Sequence, residues 1–162
     1  MRRSPEKSIL ITIDDAYASD YTRVYPLLLA TKMPAIVAAP GAWMVRGQGP
    51  EGQAMLTWAQ AREMQQSGLV EFASHGYDLH GAVRGNPQAS QLPAFAFRIF
   101  DPAHGYEDDD AYRRRVGADL QQSIAVMTRE LGRAPRAIAW PYGALHAERR
   151  RARDRRSAFV SP

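Results

Sequence analysis

Residues Ser8 to Asp15 read SILITIDD, a short apolar run that ends in two adjacent aspartates. The run is rich in β-branched side chains with little polar interruption, which predicts a parallel strand buried on both faces over Ser8–Ile13. Asp14 and Asp15 then stand at the carboxyl end of this strand. In parallel α/β folds, functional sites form at that end of the strands, so we expect the two aspartates to belong to a site.

Strands and helices alternate along the rest of the 162-residue chain. Further apolar runs predict strands at Ala35–Ala39, Val70–Ala73 and Ala137–Trp140. Capping and periodicity predict helices over Tyr21–Lys32 with Asp20 as N-cap, over Thr57–Ser67 with a Thr57/Gln60 capping box, and from Asp108 or Asp109 to about Leu131. Pro26 predicts a kink or a late start in the first of these helices. The alternation predicts one α/β domain with a parallel sheet.

The ends of two later strands also carry polar or aromatic residues. His75 follows the third strand, and Pro141, Tyr142 and Gly143 follow the fourth. The segment from Gly76 to about Asp108 is longer than an ordinary connection, which favours a functional role for it. Because the carboxyl ends of parallel strands share one rim, we expect these residues to lie near Asp14 and Asp15.

The candidate ligands at this rim suit a metal ion. The chain has no cysteine, so histidine and carboxylate side chains are its only strong metal ligands. His75 and His80 form an H-x-x-x-x-H element in which Gly76 and Gly81 allow a turn, and the turn can bring both imidazoles to one ion. Two adjacent carboxylates repel each other unless a cation compensates. The simpler alternatives are a capping or solvated aspartate pair and hydrogen-bonded structural histidines.

The charge pattern argues against a nucleic-acid partner. Residues 149–156 hold six arginines and one aspartate of a chain with net charge +4, so the remaining residues sum to −1. We expect a disordered Arg-rich tail over residues 148–162 and no base-reading surface. No apolar run approaches the roughly 20 residues of a membrane span. The apolar run after residues 1–7 is also shorter than the roughly 7 to 15 residues of a secretory signal, so a complete chain of this kind would be cytoplasmic.

Three motifs together carry a family resemblance. The stretch Thr12–Tyr17, TIDDAY, resembles the T-F-D-D-G motif of the NodB-type polysaccharide deacetylases, carbohydrate esterase family 4. The stretch Ser74–His80, SHGYDLH, is similar to the family's second motif, H-[S/T]-x-x-x-H, and Trp140–Gly143, WPYG, resembles the third. The three occur in the family's order. The segments between them look most like the biofilm poly-β-1,6-N-acetylglucosamine N-deacetylases, over about residues 8–147.

The resemblance implies a fold, an activity and a set of roles. The fold would be an incomplete, deformed (β/α) barrel with parallel strands, and the activity N-deacetylation of an N-acetylglucosamine polysaccharide in the cell envelope or periplasm. Asp14 would be the general base, and Asp15, His75 and His80 would bind one divalent metal ion, zinc by default and nickel or cobalt as alternatives. The backbone N–H of Tyr142 would stabilise the oxyanion. Residues at the third motif would contact the acetylated polymer: Trp140, Pro141 and Tyr142.

The chain also departs from the family pattern. Ala16 replaces the usual glycine, Ala139 the usual arginine, and Gly76 the usual hydroxyl residue. The later motifs, including the Leu-x-His that supplies the general acid, are missing, so we expect a C-terminally truncated partial domain over residues 8–147, after an extension over 1–7, with weak or no turnover. His104 and His146 are conceivable acids, although loop histidines are the simpler interpretation.

Two other functional classes compete with the enzyme. A carbohydrate-binding or vestigial protein would keep the metal pocket without turnover, and the missing acid motif favours this class. A non-haem iron oxygenase also uses two histidines and one carboxylate, but its usual β-sandwich pattern is absent from this sequence.

Overall fold

The computed structural model describes residues 9–144 of the chain. The predicted N-terminal extension, the Arg-rich tail and His146 lie outside the described residues, so these predictions stand untested. Within residues 9–144, no helix combines the length and the hydropathy that crossing a membrane requires.

The centre of the fold is a parallel three-stranded sheet, as the sequence predicts. Its strands are β1 (Ile11–Asp14), β2 (Ala35–Ala39) and β3 (Val70–Ser74), in the order β1-β2-β3. Asp14 pairs with Ala38, and Ala39 pairs with Ser74, so the carboxyl ends of the strands are level. The α/β fold class is confirmed.

Strand β1 is less buried than predicted. Ile11 and Ile13 are half-buried against the main core, whereas Thr12 and Asp14 are exposed. This alternation is that of a strand with one covered face, so the prediction of burial on both faces is wrong.

The predicted fourth strand is reduced to a single bridge. Ile138 bridges Ser74 in parallel, with Ser74 donating to the Ala137 carbonyl at 3.0 Å and Ala139 donating to the Ser74 carbonyl at 2.9 Å. Pro141 ends the extended run, and the Ala139 carbonyl accepts a hydrogen bond from His75 instead of from a neighbouring strand. Residues 9–144 therefore form an open sheet without barrel closure.

Two helices match their predictions closely. Helix α3 (Trp58–Gln66) begins at Thr57, and both hydrogen bonds of the Thr57/Gln60 capping box are present. Helix α4 (Asp109–Leu131) begins with Asp108 accepting from the Ala111 N–H, and it ends at Gly132 in the left-handed region.

The first predicted helix differs in its start, and one short helix was not predicted. Residues 20–24 form a π-helical turn that leads into α1 (Tyr25–Thr31), with Pro26 in the first turn, where its missing N–H leaves no bond unmade. Asp20 is buried in the π turn, so its prediction as the N-cap is wrong. Helix α2 (Gly41–Arg46) directly follows β2.

The long segment after His75 contains two small antiparallel hairpins. The first pairs β4 (Ala82–Arg84) with β5 (Gln91–Pro93), and the second pairs β6 (Phe100–Asp101) with β7 (Gly105–Tyr106). The main core packs the sheet against the helices, and a second cluster of Phe95, Tyr112 and Val116 joins this segment to α4.

Candidate active site

The fold brings three predicted ligands to one point. Asp15 follows β1, His75 follows β3, and His80 lies one short turn later. One ligand atom from each lies within 4.8 Å of the other two. The Asp15 Oδ1 atom is 3.0 Å from His80 Nε2 and 3.7 Å from His75 Nε2. His75 and His80 are buried, at 2% and 9% exposure, while a quarter of the Asp15 side chain is exposed, at 25%.

The donor set fits a divalent cation. The Asp15 Oδ1 atom is buried and accepts no hydrogen bond within the described residues, although His80 Nε2 lies 3.0 Å away. Buried polar atoms are normally paired, so a buried carboxylate oxygen without a hydrogen bond is explained by a bound cation. Two imidazole nitrogens and one carboxylate oxygen are ligands that zinc and related ions accept.

A backbone contact orients His75 as metal-ligating histidines are usually oriented. Its Nδ1 lies 2.9 Å from the Ala139 carbonyl oxygen, so the hydrogen resides on Nδ1 and the Nε2 lone pair faces Asp15. Such an outer contact fixes both the tautomer and the ring plane of a histidine ligand. The bridge between Ile138 and Ser74 of β3 places the Ala139 carbonyl next to the His75 ring.

Aromatic rings enclose His80. The ring of Trp43 lies 4.4 Å from the His80 ring, centroid to centroid, and the ring of Tyr142 lies 5.1 Å from it. Burial lowers the pKa of His80, and the neighbouring His75 lowers it further, against an opposing effect of Asp15 and Asp14. A lowered pKa favours the neutral imidazole that metal binding requires.

Asp14 differs from Asp15 in its surroundings. It is the last residue of β1, it is exposed, and its charge acts on His80. The turn that follows is held in an unusual conformation, with Asp15 at φ 76° and Ala16 at φ 57°. Ala16 is fully buried, and its carbonyl accepts from the Leu56 N–H at 2.9 Å. Left-handed backbone at two successive non-glycine residues occurs where surrounding contacts enforce it, often at functional sites.

Comparison with known proteins gives the family. The family model described as polysaccharide deacetylase matches residues 1–156. The chain belongs to the polysaccharide deacetylase family. Among curated relatives, the poly-β-1,6-N-acetyl-D-glucosamine N-deacetylase of Escherichia coli K12 is 35% identical over 149 residues, which are 86% of this chain and 22% of the relative. The chain thus spans about a fifth of that relative's length.

Solved structures of deacetylases share the fold. The BpsB deacetylase domain of Bordetella bronchiseptica is 43% identical, with a TM-score of 0.80 over 91% of this chain and 60% of that one. A de-N-acetylase from Aggregatibacter actinomycetemcomitans is 36% identical, with a TM-score of 0.84 over 93% of this chain and 61% of that one.

The residues of the third motif lie in two different environments: Tyr142 is at the site beside His80, whereas Trp140 and Pro141 pack into the interior. Tyr142, at φ 59°, is 65% exposed, and its ring contacts His80 as described. Pro141 is buried, and the Trp140 ring packs edge-on against Phe95 at 5.3 Å, within the second cluster. His104 lies apart from the ligand group, in the exposed second hairpin, with its Nδ1 3.0 Å from Asp101 Oδ1.

Two residues at the site were not predicted. Trp43 lies on α2, a helix too short for its pattern to be recognised in the sequence. Asp119 is buried on α4, and its carboxylate accepts hydrogen bonds from the loop between the two histidines. The sequence held a signal for it, because Asp119 falls at helical spacing on the buried face of α4, with Val116 and Ser123.

Proposed function

We propose that this chain carries the catalytic site of a metal-dependent N-deacetylase that acts on an N-acetylglucosamine polysaccharide, with the β-1,6-linked polymer as the first candidate. Asp15, His75 and His80 would hold one divalent ion, with zinc as the default and nickel or cobalt as alternatives. The observation that carries the proposal is the convergence of one ligand atom each from Asp15, His75 and His80, next to the exposed Asp14. The Asp15 Oδ1 atom accepts no hydrogen bond within residues 9–144. Family membership supports the proposal, and the similarity to poly-β-1,6-N-acetyl-D-glucosamine N-deacetylases supports an activity in the cell envelope or periplasm.

The ligand set matches the reaction. Two histidines and one carboxylate leave coordination positions open for water and substrate. A divalent ion bound there would polarise the acetyl carbonyl and acidify water. The outer contact from Ala139 to His75 and the aromatic rings around His80 would hold both imidazoles in the required orientation.

Asp14 is the proposed general base. Hydrolysis joins a water oxygen to the acetyl carbon and breaks the carbon–nitrogen bond, which releases acetate and a glucosamine amine. Asp14 would accept a proton from the attacking water, and the leaving nitrogen must take up a proton, which the protonated Asp14 can return. Its position outside the ligand group and its exposure to solvent are consistent with this role.

The third motif is proposed to bind the acetylated polymer. The Tyr142 backbone N–H would donate to the oxygen on which negative charge develops. The exposed Tyr142 ring offers a face for a sugar. Trp140 and Pro141 would contribute mainly by holding this turn, since Pro141 is buried and the Trp140 ring packs on Phe95.

The test is acetate release from β-1,6-linked and β-1,4-linked N-acetylglucosamine oligomers, with protein stripped by chelator and then reloaded with zinc, nickel or cobalt. We expect release only from the reloaded protein, and faster release from the β-1,6 series. Asp14→Asn should lower the rate about 100-fold to 10,000-fold, the usual contribution of general base catalysis, while keeping the metal.

Asp110→Asn is the matched control, because Asp110 is an exposed aspartate in the first turn of α4 and is not one of the grouped ligands. It should retain the wild-type rate. Metal binding without acetate release from either polymer would contradict the proposed activity and favour a vestigial, carbohydrate-binding function.

A further inference from the structure

A buried carboxylate on α4 holds the loop that joins the two histidines. Asp119 is 8% exposed, and it reaches the loop from the middle of the helix. It accepts from the Tyr77 N–H at 2.8 Å, from the Asp78 N–H at 2.9 Å and from the Leu79 N–H at 3.1 Å. Three consecutive backbone donors therefore point at one side chain.

The same loop is fixed from its other side by α2. The first two N–H groups of that helix, from Gly41 and Ala42, donate to the carbonyls of Gly76 and Tyr77 at 2.9 Å and 2.8 Å. The loop thus lies between a donor pair on α2 and an acceptor on α4. The backbone path of the loop, and with it the position of His80, therefore depends on the contacts with α2 and on the contacts with α4.

The space around the loop explains why residue 76 is a glycine. Gly76 has φ 83°, and a Cβ atom there would lie 2.3 Å from the Phe95 ring. The residue has no side chain that could brace the loop, as the hydroxyl residue usual at this position could. The Asp119 carboxylate supplies a brace from outside the loop instead.

Loss of the carboxylate would affect the loop in a specific way. Charge-assisted hydrogen bonds from N–H groups to a carboxylate are stronger than neutral ones, and buried donors left without an acceptor are unfavourable. The loop would then relax toward other partners, and the His80 ring would move with it. The Nε2 atom of His80 would no longer stay 3.0 Å from Asp15 Oδ1.

We propose that Asp119 is a positioning residue of the metal site, which holds His80 at ligand distance from Asp15 through the backbone of residues 77–79. This inference rests on the proposed function, because it assumes that Asp15, His75 and His80 bind the ion. Asp119 itself touches neither the metal nor the substrate.

Cobalt(II) titration of the metal-free protein, followed by visible absorption, tests the role. Asp119→Asn keeps the shape but turns an N–H donor toward the loop donors. We expect it to bind cobalt about 10-fold to 100-fold more weakly than wild type, the usual effect of losing an outer contact, and with a changed absorption spectrum. Met127→Ala is the control, since Met127 is a fully buried core residue two turns along the same helix.

The control separates positioning from stability. Met127→Ala should lower the thermal midpoint and leave the cobalt affinity and spectrum unchanged. Wild-type cobalt affinity in Asp119→Asn would overturn the proposal. The proposal would also be overturned if Met127→Ala had the same thermal midpoint as Asp119→Asn and lost as much cobalt affinity.

Hydrogen exchange of the Tyr77, Asp78 and Leu79 amides gives a second, metal-free measurement. We expect protection in wild type and, if the variant folds, its loss in Asp119→Asn; rapid exchange of these amides in wild type would overturn the proposal. If wild type binds no cobalt while the three amides are protected, the proposed metal site is wrong, and with it the positioning role of Asp119. The hydrogen bonds from the loop to Asp119 would still be supported.

Discussion

Replacing Gly76 by alanine tests how closely the loop after His75 is packed. The new Cβ would meet Phe95 at 2.3 Å and 2.8 Å, and Phe95 is 2% exposed, so its ring has little room to move. Overpacking of this kind costs about 1–3 kcal/mol. The left-handed conformation at φ 83° adds about 1–2 kcal/mol for a residue with a Cβ.

The expected net effect is large for a single methyl group. Alanine also restricts the unfolded chain, which offsets about 0.4–1 kcal/mol. We therefore expect Gly76→Ala to lower the free energy of unfolding by about 3 kcal/mol, and the thermal midpoint by about 6–12 °C for a chain of this length. Urea denaturation followed by circular dichroism measures the first quantity, and a thermal scan the second.

Two other glycines separate the contributions. Gly132 has φ 77° with open space around it, so Gly132→Ala measures the backbone cost alone. Gly117 lies inside α4 with no atom within 4 Å of a built Cβ, so Gly117→Ala should stabilise the protein by about 0.5–1 kcal/mol. If Gly76→Ala costs no more than Gly132→Ala, the close packing of Gly76 against Phe95 is refuted.

Two further predictions concern stability. Burial raises the pKa of Asp20 to about 6 from 3.8, so its contribution to stability is complete below pH 3.8 and is lost as the pH rises through 6. In metal-free protein this group should lower the free energy of unfolding by about 2 kcal/mol between pH 4 and 7, and Asp20→Asn should flatten that pH dependence; parallel curves would contradict it. Thr57→Ala removes the N-cap of α3 and should cost about 1 kcal/mol in urea denaturation. Thr128→Ala, in the last turn of α4, should cost less, and equal losses would contradict the capping account.

Local signals in the sequence were sufficient for much of the fold. The capping box at Thr57 and the Asp108 cap with Gly132 mark the ends of α3 and α4, because each motif satisfies helix-end groups within a few residues. Strand β2 was also predicted with its observed bounds. These features depend on neighbours in sequence, so one sequence suffices to predict them.

Features that depend on distant partners were predicted less well. The run at Ala137–Trp140 has the composition of a strand, but the Ala139 carbonyl bonds to His75, 64 residues earlier in the chain. Asp20 is of a residue type that often caps helices, yet it lies inside the helical segment, as the first residue of the π turn. At Ala139 a tertiary contact, which the local sequence pattern does not show, decided the outcome.

The candidate site shows the same division. Strand-end placement and the H-x-x-x-x-H spacing predicted that Asp15, His75 and His80 would meet, and the structure brings them together. The environment of the site was not predictable in the same way, because Trp43 and Asp119 reach it from α2 and α4. Their roles follow from how the helices pack on the sheet.

The most direct test of the central claim is metal titration of stripped protein by calorimetry, with zinc as the first ion. We predict one ion per chain for wild type and for Asp14→Asn, and markedly lower stoichiometry for Asp15→Ala, His75→Ala and His80→Ala. Unchanged binding in all three alanine variants would contradict the assignment of the metal site. Loss of the ion in Asp14→Asn, with retention in Asp15→Asn, would reverse the roles of the two aspartates.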